Sequence, residues 1–120
     1  MLVWEANLPA STAIERLAVY GSLAPGRSNH HHLADIPGAW REGWVEGVLH
    51  DRGWGAAQGF PGIRMERGGP RVEVHVLESN DLAQHWDRLD DFEGEEYHRA
   101  SVEIHGLETG PVAGWIYALK

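Results

Sequence analysis

Six segments of this chain read as β-strands and only one reads as a helix of useful length. That imbalance constrains the fold more than any other feature. The clearest strand is "VEVHVLE", in which Val72, Val74 and Val76 fall on one face and polar residues on the other, the period-2 signature of a half-buried strand. "RLAVY", "AWREGWVEGVLHD", "IRMER", "YHRASVEIH" and "VAGWIYALK" are the others, each bounded by turn residues. Gly43 and Gly47 interrupt the second, which predicts bulges or close backbone approach there. "GLETG" joins the last two strands as a hairpin turn. So many strands need their edges covered, and the economical solution is an α+β fold: a small mixed β-barrel with one or two flanking helices.

Length supports one domain over 1–120, with residues 1–15 a loose arm or an edge strand broken by Pro9. A chain of this size buries roughly two-thirds of its unfolded surface, enough for one core. Ser28 or Asn29 caps a short helix that runs to about Asp35, before Pro37-Gly38 stops it.

Charge and cysteine exclude several function classes. With 18 acidic against 10 basic residues, the formal net charge is -8. A nucleic-acid surface needs clustered Lys and Arg, and an anionic membrane surface needs the same. Neither partner is expected. The chain has no cysteine, so disulfides, thiolate zinc sites and cysteine nucleophiles are ruled out, and a reducing cytoplasm is the expected compartment. No stretch approaches the roughly 18 apolar residues of a membrane span. The start "MLVWEANLPASTA" has no basic region and carries Glu5 among its apolar residues, unlike a secretory signal.

The helix holds the sharpest chemical signal. It is expected from Asp81 to Glu93, capped by Ser79 or Asn80 and closed by Gly94 at its C-terminal end. Its apolar stripe is Leu82, Trp86 and Leu89. At roughly 100° per residue, with Leu82 at 0°, Trp86 falls at about 40°, Leu89 at about 340° and Glu93 at about 20°. Glu93 therefore occupies the centre of the buried stripe, while Asp87, Arg88 and Asp91 point away and Asp90 lies near the border. Burial disfavours the charged carboxylate, and the negative end of the helix dipole pushes the same way. A carboxyl group tuned upward suits a general base near neutral pH. The competing reading is a frayed last turn that lets Glu93 swing into water.

"LAVYGSLAPG" adds a second element. An apolar strand stops abruptly at Tyr-Gly-Ser, where Gly21 permits close approach to the backbone and Pro25-Gly26 turns the chain away. Such a turn presents backbone amides to anionic oxygen. Ser22 lacks the elbow motif of a serine nucleophile.

"NHHHL" looks like a metal site, but His30, His31 and His32 are adjacent on a helix and diverge, so no metal is expected there. Asp90 and Asp91 read as solvated surface. The six Trp read mainly as core and barrel wall, with Trp54 and Phe60 in the Gly-rich loop able to cover a pocket.

Taken in order, "YGSLxPGxxN", then "LDxxEGxxYxR", then "VAGWIYAL" resemble the gamma-glutamylcyclotransferase-like family from about Leu17 onward. The resemblance implies a small mixed β-barrel with flanking helices. It implies release of a γ-glutamyl group as 5-oxoproline from γ-glutamyl amines or γ-glutamyl amino acids, without metal or other cofactor. It places the general acid/base on Glu93 and the substrate-holding turn on Tyr20, Gly21, Ser22 and Leu23. The aromatic and basic residues of the last motif fall on Tyr97 and Arg99, as further substrate contacts. One departure is visible: many relatives carry a Gly-Glu-aliphatic-Tyr strand before the long helix, and this chain has His75 near the Tyr place. The alternative reading is a non-catalytic binding module for a small amino-acid-like ligand on the same fold. The amine half of the substrate and the oligomeric state are not encoded in any motif of the chain.

Overall fold

The computed structural model describes residues 14–21, 23, 25–27, 30–50, 62–108 and 110–120. Its strands are β1 (Glu15–Val19), β2 (Ala39–His50), β3 (Gly62–Met65), β4 (Arg71–Ser79), β5 (Tyr97–Ile104) and β6 (Val112–Leu119), with helices α1 (His31–Ala34) and α2 (Trp86–Glu93). They form one mixed sheet in the order β3-β2-β4-β1-β6-β5. All pairs are antiparallel except β1 with β6, where Leu17 pairs Trp115 and Ala18 pairs Ile116.

The sheet curls into a half-barrel. β2 and the end of β5 approach through a backbone bridge: Trp44 N–H donates to the His105 carbonyl at 3.0 Å, and His105 N–H returns the bond at 2.9 Å. The indole of Trp44 stacks on the His105 ring with centroids 4.2 Å apart. Gly43 makes this approach possible, because a Cβ there would lie 2.6 Å from the His105 carbonyl oxygen. Gly47 serves β3 in the same way, its Cβ position being 2.8 Å from the Arg64 carbonyl oxygen. Both glycines answer the expectation of close backbone approach.

Period-2 alternation divides the core. Ala18, Val45, Val72, Val74, Val76, Ile104 and Ile116 point inside the curl. Leu17, Val19, Leu77 and Tyr117 point outward, where Leu33, Leu82, Trp86 and Leu89 cover them from the helical side. Fully buried leucines of this kind contribute roughly 1.5–3 kcal/mol each. Glu15 accepts from the indoles of Trp86 (3.2 Å) and Trp115 (3.4 Å), tying β1 to both layers.

The expected single helix from Asp81 to Glu93 is in fact two pieces. Leu82–Gln84 is a 3₁₀ turn, and α2 begins only at Trp86. The cause lies at the end of β4. Ser79 Oγ donates to the Pro37 carbonyl and accepts from Asp81 N–H at 3.0 Å. The chain must turn at once, and tight i→i+3 bonds take the turn: Gln84 N–H to Asp81 O at 3.1 Å and His85 N–H to Leu82 O at 2.9 Å. The expected cap at Ser79 or Asn80 is corrected: Asp81 is the N-cap of the 3₁₀ turn and His85 that of α2, neither with a side-chain cap bond, and Ser79 instead holds the chain just before the turn. The proposed caps Ser28 and Asn29, the residues 1–13 and the loop with Trp54 and Phe60 lie outside the described residues; α1 itself has His30 at its N-cap with no side-chain cap bond. Among the described residues no helix is long and apolar enough to cross a membrane.

Candidate active site

Within α2, Trp86, Leu89 and Glu93 are the buried residues. The 3₁₀ break precedes them, so the angular relation of these three survives it. Glu93 is 8% exposed. Burial pushes its carboxyl from an ordinary 4.5 up to about 7. Gly94 follows with φ 84°, and its N–H bonds the Asp90 carbonyl, ending the helix immediately after the acid.

Three tyrosines gather with Glu93. Tyr20 leaves the end of β1, half-buried. Its hydroxyl donates to the Tyr117 carbonyl on β6 at 2.7 Å and accepts from Ile63 N–H on β3 at 3.0 Å. Burial pushes this phenol well above its usual range, the Ile63 bond opposes that, and the nearby Glu93 and Tyr97 add to the rise. Tyr117 is buried, and its phenol is raised by burial first, then by Asp90, with Glu93 adding a smaller push. Tyr97 is buried at the start of β5. The sequence motifs that lie some seventy residues apart thus meet at one place: the turn after β1, the end of α2 and the start of β5.

The turn residues Gly21 and Leu23 sit beside Tyr20, Leu23 buried and Gly21 half-buried; Ser22 lies outside the described residues. The turn is braced from α1. His30 Nδ1–H donates to the Leu23 carbonyl at 2.9 Å, and its ring packs 5.2 Å from that of Trp40. His31 and His32 lie with ring centroids 4.3 Å apart, and His32 stacks on Phe92 of α2 at 4.0 Å.

Arg99 does not turn its guanidinium to an open space. It bonds Asp90 through Nε (3.1 Å to Oδ1) and Nη2 (3.4 Å to Oδ2), and it lies 4.4 Å from the Trp86 ring and 4.9 Å from the Trp115 ring. Asp90 also accepts from Tyr117 Oη at 2.6 Å. Reading Asp90 as solvated surface is therefore corrected. Its carboxylate is half-covered, and although burial alone would raise its pKa, Arg99 and Tyr117 hold it below the usual range. Sequence reasoning missed Asp90 and Tyr117. Two signals were present: Asp90 stands one helical turn before Glu93, and Arg99 stands on the same strand face as Tyr97.

A buried carboxyl that ionises near neutral pH, beside fixed tyrosines, can both take and return a proton. A separate cleft of about 510 Å³ between β2–β3 and β5, lined by residues such as Glu46, Met65, Val102 and His105, includes none of these groups.

Known structures share this architecture. YkqA from Bacillus subtilis is 26% identical with a TM-score of 0.67; the match covers 90% of this chain, which spans 36% of that one. An AIG2-like protein from Mus musculus is 21% identical with a TM-score of 0.64, covering 88% of this chain and 76% of its own. An uncharacterised protein from Pyrococcus horikoshii is also 21% identical, with a TM-score of 0.63, covering 88% and 77%. The last two are likenesses of fold. No curated protein matches the chain. The family model described as gamma-glutamyl cyclotransferase, AIG2-like, matches residues 17–120, and the chain belongs to that family.

Proposed function

We propose that this chain is a gamma-glutamyl cyclotransferase that releases 5-oxoproline from γ-glutamyl amines or γ-glutamyl amino acids, with Glu93 as general acid/base. The observation that carries the reading is the burial of Glu93 on the inner stripe of α2, which brings its carboxyl to about 7. Family membership supports a cyclotransferase-type reaction.

The step is an intramolecular aminolysis. The substrate's α-amine attacks its own γ-carbonyl carbon, forming the ring C–N bond. The bond from that carbon to the departing amine breaks. Glu93 takes a proton from the attacking nitrogen and returns it to the leaving nitrogen, so the atoms balance with no co-reactant. Holding amine and carbonyl in contact supplies much of the rate. The turn of Tyr20, Gly21, Ser22 and Leu23 is assigned to the substrate's anionic oxygens through its backbone amides. Tyr97 is assigned to the wall of the same site.

The test is 5-oxoproline release from a panel of γ-glutamyl amines and dipeptides, with Glu93→Gln beside the native protein. Release by the native protein, reduced at least about 100-fold in the variant, supports the reading. No release from any member, with the native protein folded, overturns it in favour of ligand binding without turnover.

A further inference from the structure

The last turn of α2 is electrostatically awkward. It carries Asp90, Asp91 and Glu93 and has no basic residue of its own. Acidic side chains at a helix C-terminus oppose the helix dipole, and an end so charged should fray and carry Glu93 out to water. The missing cation arrives instead from β5. Arg99 meets both oxygens of Asp90, at 3.1 and 3.4 Å, while Trp86 and Trp115 flank its guanidinium. From β6, Tyr117 donates a 2.6 Å bond to the same carboxylate. The carbonyl of Asp90 meanwhile accepts from Gly94 N–H at 3.1 Å, closing the helix just past Glu93. One residue therefore binds the helix end to two strands and seals it.

We propose that Arg99, Asp90 and Tyr117 form a positioning clasp that holds the last turn of α2 against the sheet and so keeps Glu93 in its buried place. Arg99 is then a positioning residue and not a substrate contact. The inference rests on the reading of Glu93 as the acid/base, but its structural half can be measured without substrate. Among the described residues, the groups near Glu93 include Tyr20 beyond β1, Tyr97 on β5, Tyr117 on β6 and Asp90 on α2, with His32 of α1 stacked on the neighbouring Phe92.

Two physical effects of removing Arg99 are distinguishable. Loss of the Arg99 charge, with the helix end unmoved, raises the pKa of Glu93 or leaves it where burial sets it. Release of the helix end exposes Glu93 and lowers its pKa from about 7 towards 4.5. The experiment is a carbon-13 NMR titration of labelled glutamate side chains in the native protein, Arg99→Gln, Arg99→Lys and Tyr117→Phe, with Glu93→Gln assigning the resonance. The expected result is a midpoint lowered by roughly one pH unit or more in Arg99→Gln and Tyr117→Phe, partly restored in Arg99→Lys. In the turnover assay kcat falls by about 10- to 100-fold while KM changes little. A midpoint in folded Arg99→Gln that rises or stays overturns the clasp, as does a raised KM with kcat and midpoint unchanged. Should Arg99→Gln fail to fold, Tyr117→Phe decides, since it removes one bond and no charge; an unmoved midpoint there also overturns the clasp. Lowered midpoints in a protein that shows no 5-oxoproline release would sink the cyclotransferase reading and leave the clasp standing.

Discussion

Tyr20 and Tyr117 stand 97 residues apart, yet the phenol of the first donates to the carbonyl of the second at 2.7 Å. The same oxygen accepts from Ile63 N–H at 3.0 Å. One hydroxyl thereby joins the turn after β1 to β6 and β3 at once. Its one proton and one of its acceptor positions are used by the backbone, so the phenol holds three strands' ends in register around the site.

Tyr20→Phe keeps the ring and removes that hydroxyl. The Ile63 N–H and the Tyr117 carbonyl then lose a partner each, and leaving buried groups unsatisfied costs about 1–3 kcal/mol apiece. The expected loss is about 2 kcal/mol or more, read as a lower urea midpoint at constant slope. A midpoint within error of the native value would show that water replaces both bonds.

Glu93 makes stability fall as pH rises. Its folded pKa, about 7, lies above the ordinary 4.5. Below 4.5 the group is protonated whether folded or unfolded and costs nothing. Between 4.5 and 7 the unfolded chain gives up its proton first, so the folded state loses ground, by about 3 kcal/mol in all. Glu93→Gln cannot titrate. Its stability, followed by urea unfolding from pH 5 to pH 8, should decline less than that of the native protein, by an amount of that order. The variant should be inactive and, at pH 8, better folded. Parallel pH curves for the two proteins would contradict the burial of the charge.

The barrel closure depends on Gly43. A methyl group there would sit 2.6 Å from the His105 carbonyl oxygen and 3.3 Å from Ile104 Cγ2. Relieving that contact means parting the Trp44–His105 bridge or shifting β5. Gly43→Ala should cost about 1–3 kcal/mol, and the amides of Trp44 and His105 should exchange with deuterium far faster than in the native protein. Unchanged exchange at both amides would show that the bridge tolerates a side chain at position 43 and does not depend on the glycine.

The parts of this fold that were legible in the sequence are those set by local periodicity. Val72, Val74 and Val76 announced β4, and all three lie inside the curl. Glu93 announced itself by sharing the stripe of Trp86 and Leu89, which the structure buries together. Gly43 and Gly47 marked close approach without revealing to what. What stayed hidden depends on partners distant in the chain. The break before α2 follows from Ser79 meeting Pro37, 42 residues earlier. Asp90 looked solvated because its partners, Arg99 and Tyr117, are 9 and 27 residues further on. Periodicity places a side chain on a face; it does not say who waits there.

The parallel pairing of β1 with β6 also sets an order of assembly. β1 is five residues long and has β4 on one side and β6 on the other. Until β6 is present, β1 has one neighbour, Tyr20 has no carbonyl to bond, and Asp90 lacks its phenol. During synthesis the first strand must therefore wait for the last, and the loop between them is almost as long as the fold itself. Contacts of such sequence separation are slow to form. The centre around Glu93 is consequently among the last parts of this protein to come into being, and a nascent chain that ends before β6 carries every residue of the acid's helix without the phenol that bonds its last turn.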